Sequence, residues 1–291
     1  MPDFLKRSIE HQQALGAEGL DLLSRRAARW KLSNVLKSGG VLVFPHATIS
    51  VCGDMIAAVV MACFDSGAST VVALGPIHAT TPELQQARVR VAGGGDPADE
   101  PLCSIQGPGI AGWSHYRAEF ALSHFEFLWD CEAQRRGGLA PELILRYPFL
   151  CGCRPDLLPG VEELEEITER PGTVVVATID PFHHGIGYGE SSEEALFPEN
   201  GGLSLARLRT EENMQLLCSG DYAEYNSQCI EIRSDGRDVG QLLAYLRSPG
   251  SAEILDLITD DMSGPYDSPA PTWVAGALIA LHPAAKNAHR I

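Results

Sequence analysis

The chain has 291 residues, 45% hydrophobic and 21% charged, enough apolar material for one large α/β domain or two small ones. Lysine and arginine total 22 against 38 acidic residues, a formal charge of -16, which argues against nucleic acid or an anionic membrane as a partner. The N-terminal "MPDFLKRSIEHQQALG" lacks the apolar core of a signal peptide, and no run reaches the roughly 18–20 apolar residues of a membrane span.

Residues 5–38 carry apolar positions at three- and four-residue spacing and predict an N-terminal helical extension. After Gly39-Gly40, "VLVF" is a continuous apolar run, the pattern of a strand buried on both faces. "CGDMIAAVVMACFDS" (52–66) predicts a mostly buried helix stopped by Gly67, and "TVVALG" a second buried strand. Strand, helix and strand make a βαβ unit, so the two strands should be parallel neighbours. The Gly- and Pro-rich residues 92–112 predict a long loop. A helix is expected over 116–134, a strand at "LILRYPFL", an acidic helix within "PGVEELEEITERPG", and a further continuous strand at "TVVVATI" that "DPFHHGIGYG" terminates. Helices follow over 203–218 and in "RDVGQLLAYLRS", then closing strands "SAEILDLIT" and "TWVAGALIALHP". With no repeat and no linker, residues 1–291 are expected to form a single α/β domain: a central, largely parallel or mixed sheet flanked by helices.

The eight cysteines are scattered, several within apolar runs, and are expected to be reduced thiols in a cytoplasmic protein. "LCGCRP" has neither the spacing nor the second half of a zinc knuckle. "GIGYGE" (185–190) lacks the spacing of a dinucleotide loop, and no serine sits in a G-x-S-x-G elbow.

Histidines carry the chemistry. His46 follows the first buried strand, His78 the second, and His183 and His184 the third. Parallel strands bring their carboxyl ends to one sheet edge, where ligands bind in open α/β folds, so these imidazoles should converge. Two histidines and a carboxylate leave open positions for dioxygen and substrate on non-haem Fe(II). The available carboxylates are Asp180, Glu231 and Asp235. His115 and His124 flank a helical stretch and are either surface or capping residues or pocket residues.

Five blocks, "VLVFPHATISVCGD", "VVALGPIHA", "VVVATIDPFHHGIGYG", "SDGRDVGQLL" and "WVAGALIAL", occur in the order found in Memo-like proteins, structural relatives of the class III extradiol ring-cleaving dioxygenases. The resemblance covers roughly residues 38–282 and implies one mononuclear metal site at the sheet edge. It implies that His46 and His78 are metal ligands and that Asp180 and His183 are site residues, with His184 standing where an aromatic is usual. The family's Cys-Gly-Arg-His-Pro element matches "DGRDVG", which puts Asp235 in the place of the ligand cysteine; Glu231 and Cys229 are the alternatives. A carboxylate there shifts preference from Cu(I) toward iron. The family's Glu-His-Ser-x-Glu element is reduced to "EFALS" (119–123), which implies a pocket rebuilt for another substrate.

The resulting expectation is an Fe(II)- and O2-dependent dioxygenase acting on a small aromatic or chelating molecule. His46, His78 and Asp235 would hold the metal, His183 would act as base, Asp180 would orient that imidazole or contribute an outer hydrogen bond, and Tyr188 and His184 would contact substrate. The alternatives are a copper- or iron-binding redox protein, in which Cys229 would matter more, and a non-enzymatic peptide or metabolite binder. A homodimer is compatible with the fold.

Overall fold

A computed structural model describes residues 4–78 and 81–284; the first three residues of the N-terminal extension lie outside it. Eight strands form one sheet: β1 (Val41–Phe44), β2 (Thr70–Leu74), β3 (Ser104–Gln106), β4 (Glu142–Phe149), β5 (Thr173–Thr178), β6 (Phe182–Gly185), β7 (Pro249–Asp261) and β8 (Thr272–Pro283). The helices among the described residues are α1 (Phe4–Ala27), α2 (Ser33–Lys37), α3 (Ile49–Ser66), α4 (Pro82–Ala92), α5 (Ser123–Arg135), α6 (Val161–Glu169), α7 (Gly202–Ser219), α8 (Tyr222–Glu231), α9 (Gly236–Arg247) and α10 (Ser263–Tyr266).

The continuous apolar runs become the parallel centre of the sheet because both of its faces are covered. One face, with Leu42, Phe44, Val71 and Val176, packs on Leu23 of α1, Met55 and Ile56 of α3 and Phe125 of α5. The other, with Val43, Val72, Val175 and Ala177, packs on Leu164 of α6, Met214 of α7, Tyr225 of α8 and Leu242 of α9. Helix α3 is long and apolar enough to cross a membrane, but 61% of it is buried in the fold, which accounts for its composition. Gly67 closes it in the left-handed conformation, as expected (φ 78°).

The strand order is β3-β4-β2-β5-β1-β8-β6, with β7 also paired to β8. β1 and β2 are parallel but, contrary to the expectation from the βαβ pattern, not neighbours: β5 lies between them, pairing Val176 with Leu42 and with Ala73. The segment 180–185 terminates β5, but its last four residues are also a strand, β6, antiparallel to the start of β8. Because β7 occupies one edge of β8 from Trp273 to Pro283, β1 and β6 share its other edge end to end. Gly276 lies at the break between them, and a Cβ there would stand 2.5 Å from the Pro45 Cβ. The helix expected over 116–134 starts only at Ser123, and the expected loop 92–112 contains the edge strand β3. β3 forms by pairing with the distant β4, whereas residues 113–122 are taken up by a 3-10 turn and further local turns before α5 begins.

Candidate metal centre

His46, His78 and Asp180 leave the carboxyl ends of β1, β2 and β5, so the order β2-β5-β1 puts Asp180 between the two histidines. Thr178, the last residue of β5, donates its hydroxyl hydrogen to the Phe44 carbonyl at 2.9 Å. The same oxygen lies 3.0 Å from His46 Nδ1 and can only accept, so Nδ1 carries hydrogen and Nε2 is turned to the cluster. The His46 backbone N–H donates to Asp180 Oδ1 at 3.2 Å.

His78 is held by Glu119. Its ring Nδ1 lies 2.9 Å from Glu119 Oε1, and its backbone N–H donates to Oε2 at 2.6 Å. Oε1 also accepts the N–H groups of Phe120 and Ala121, each at 2.8 Å. Burial pushes this carboxyl up, but the His78 charge and these hydrogen bonds outweigh it and hold it below the usual range. The carboxylate therefore fixes Nδ1 as the protonated nitrogen and leaves the Nε2 lone pair available to the cluster.

Asp235 is the residue before α9, and its side chain makes no capping hydrogen bond to that helix. Its Oδ1 accepts the Asp180 backbone N–H at 2.9 Å, which ties the helix to the end of β5. Its Oδ2 lies 2.9 Å from His46 Nε2 and 3.9 Å from His78 Nε2, and all three ligand atoms fall within 4.8 Å of one another. That oxygen is sealed from solvent, and beyond the His46 ring it has no hydrogen-bond partner among the described residues. Burial opposes the charge on Asp235, but His46, His183 and His78 hold it below the ordinary value. Asp180 Oδ2, 3.7 Å from His46 Nε2, is pushed up to about 6 by burial against the pull of His46. Burial disfavours a charge on His46, yet Asp180 and Asp235 outweigh it and raise the ring to about 9. The cluster thus calls for a positive charge where the three ligand atoms meet, which a proton on His46 or a metal ion would satisfy.

His183 lies on β6 with its backbone N–H on the Ile232 carbonyl. Burial, against the charge of Asp235, lowers its ring to about 4, so it is neutral at physiological pH, and its buried Nδ1 has no partner among the described residues. The Tyr188 ring meets it edge-on at 5.1 Å. His184, the other expected substrate contact, alternates to the opposite face of β6. There its Nε2 accepts the Leu196 N–H at 2.9 Å and its ring stacks on Phe182, so the structure does not bring it to the cluster.

The alternative third ligands lie elsewhere. Glu231 is exposed and pairs with Arg209 at 3.1 Å. Cys229 is buried beneath α7, where its thiol donates to Asn213 Oδ1 and burial pushes it up to about 12. His115 is exposed, and His124 is buried against Ser8 and Gln12 of α1.

Two site residues escaped sequence reasoning. In the sequence Glu119 stands only as the remnant of a degraded element, and nothing local couples it to a histidine 41 positions earlier. Phe120, next to it, stacks on the His78 ring at 4.3 Å. Ring contacts then continue through Phe4 (5.3 Å), Tyr266 (5.5 Å) and Tyr188 (5.5 Å) to His183, an aromatic rim from one side of the cluster to the other.

No protein-family model matches the chain, and no curated protein does.

Proposed function

We propose that this protein is a mononuclear non-haem iron dioxygenase that oxidises a small aromatic or similarly chelating metabolite with O2, in the reduced-thiol environment of a cytoplasm. The observation that carries this reading is the convergence of His46 Nε2, His78 Nε2 and an otherwise unpartnered Asp235 Oδ2, each backed by its own outer contact. Two imidazoles and one carboxylate on one side of an ion are the donor set of Fe(II) oxygenases. The absence of a thiol from the cluster argues against Cu(I), since Cys229 belongs to another part of the core. The resemblance to extradiol enzymes supports the same conclusion.

The residues divide the work by position. His46, His78 and Asp235 would hold Fe(II), which supplies adjacent positions where O2 and a substrate anion meet. His183, neutral and with a free Nδ1, takes the proton that an incoming hydroxyl or amine must lose. Asp180 positions His46 through its backbone N–H and anchors Asp235 through its own. The rim of Phe120, Phe4, Tyr266 and Tyr188 packs a planar substrate and keeps bulk water off the reacting atoms.

The test is anaerobic reconstitution with Fe(II), metal analysis, and O2 uptake over a panel of catechol, 2-aminophenol and indole. Near-stoichiometric iron and substrate-dependent O2 consumption are expected. Full turnover by a His46→Ala, His78→Ala variant would overturn the reading, and stoichiometric copper lost in Cys229→Ser would replace it with a copper protein.

A further inference from the structure

We propose that residues 4–15, the first half of α1, are a hinged lid over the cluster, with Phe4 as its seal and Gly16 as its hinge. The proposal rests on the functional reading above for what enters the site, and it adds how entry is controlled and which ring sizes the substrate.

The hinge lies in the backbone. α1 breaks at Gly16, where φ is 58° and ψ is -175°. Glycine alone takes that conformation without strain, and an added Cβ would meet no atom within 4 Å. The requirement for glycine is therefore conformational and not steric, and a glycine break is one of the few causes of a sharp helix kink.

The two halves are held by different means. After the break, Leu20, Leu23 and Ala27 enter the core, and a Cβ on Gly53 of α3 would stand only 2.9 Å from the Leu23 Cδ1. Before it, Leu15 beside the hinge still touches that core, but the one fully buried side chain is the polar Ser8. Ser8 Oγ lies 2.7 Å from Ser123 Oγ and 3.1 Å from His124 Nδ1, and Gln12 donates to the Ser123 carbonyl at 3.2 Å. Each such bond contributes little net once water competes for its partners, so the first half is latched where the second is anchored.

What the latch brings down is a ring. Phe4 stacks on Phe120 at 5.3 Å and meets Tyr266 edge-on at 5.5 Å. Phe120 lies on the His78 ring, and Tyr266 leads through Tyr188 to His183. Phe4 is thus the middle of an arc whose two ends are at the cluster, and the one ring of the arc that leaves with α1. Its departure parts Phe120 from Tyr266. The latch at Ser123 and His124 follows directly on the turn that carries Phe120, so undoing it and withdrawing Phe4 are one motion. A planar substrate enters through the gap, and reclosure keeps bulk water out.

Hydrogen exchange read by mass spectrometry on the metal-free protein tests the lid without iron. Amides of residues 8–15 are expected to exchange roughly ten- to a hundredfold faster than those of residues 20–27. Gly16→Ala favours a straight helix and should speed the first set by about tenfold more while leaving the second unchanged. Ser8→Ala should act in the same direction through the latch. A second arm mixes the Fe(II)-loaded protein, without oxygen, with catechol or 4-tert-butylcatechol in stopped flow. Wild type should admit the bulky catechol more slowly, Gly16→Ala should speed catechol association by about fivefold or more, and Phe4→Ala should bring the two catechols within about twofold of each other. Equal exchange in the two halves of wild-type α1, or a Gly16→Ala variant that leaves either exchange or association unchanged, overturns the proposal. Fast exchange of residues 8–15, sharpened by Gly16→Ala, in a protein that takes no iron sinks the dioxygenase reading and leaves the lid standing.

Discussion

The two faces of β6 set adjacent histidines to opposite uses. On one face His184 is fully occupied: its Nε2 takes the Leu196 N–H, its ring stacks on Phe182, and Trp273 closes over both while donating to the Leu196 carbonyl. On the other, burial lowers the His183 ring to about 4, and its Nδ1 has no hydrogen-bond partner among the described residues. Burial alone therefore does not mark a functional histidine. An unfinished hydrogen-bond inventory is the better mark of a candidate, and Asp235 Oδ2, with no partner beyond the His46 ring among the described residues, has one too.

This contrast can be broken in order of expected effect. Replacing His46 and His78 together by Ala should abolish stoichiometric Fe(II) binding, measured by metal analysis and calorimetry, a larger loss than any outer contact produces. Glu119→Gln puts an amide against the His78 backbone N–H and removes the charge that orients the ring. It should weaken Fe(II) binding by roughly 10–100-fold, while Thr178→Val, which removes the acceptor of His46 Nδ1, should fall in the same range. Unchanged affinity in both would mean that the outer contacts do not set the ligand geometry.

On the packed face the readout should switch from metal to stability. His184→Ala leaves the Leu196 N–H without its acceptor and should cost about 1–3 kcal/mol in denaturant unfolding, with Fe(II) affinity unchanged. His124 gives the smallest effect per step. Burial, with repulsion from His46 and His11, pulls its ring down to about 3, whereas an unfolded histidine titrates near 6.5. Between those values the unfolded chain binds a proton that the fold refuses. Its contribution is therefore complete above pH 6.5 and falls by up to about 1.4 kcal/mol per pH unit on acidification, until pH 3. His124→Gln should flatten that part of the stability profile while keeping an amide toward Ser8 and Gln12 of α1.

Legibility followed the range of the interactions. β1, β2 and β5 could be read because strands covered on both faces leave continuous apolar runs, and their direction was enough to bring His46, His78 and Asp180 to one edge. The insertion of β5 between β1 and β2 could not, since similar runs such as "VLVF" and "VVAL" hold no record of which neighbours pair. Asp235 was one of several carboxylates on paper, and the Asp180 N–H, 55 residues away, distinguishes it from Glu231. Glu119 was hidden for the same reason, lying in a turn whose own sequence is unremarkable except for one acid among apolar neighbours.

The clearance at Gly276 carries a consequence for this protein's room to vary. Pro45 leans on that bare backbone, and the next residue is His46. The far strand of the closing hairpin thus works as a gauge block for the residue that follows Pro45. A single added methyl on β8 would push Pro45 and reset the seat of His46, so drift at position 276 would be felt first in the spacing of the cluster.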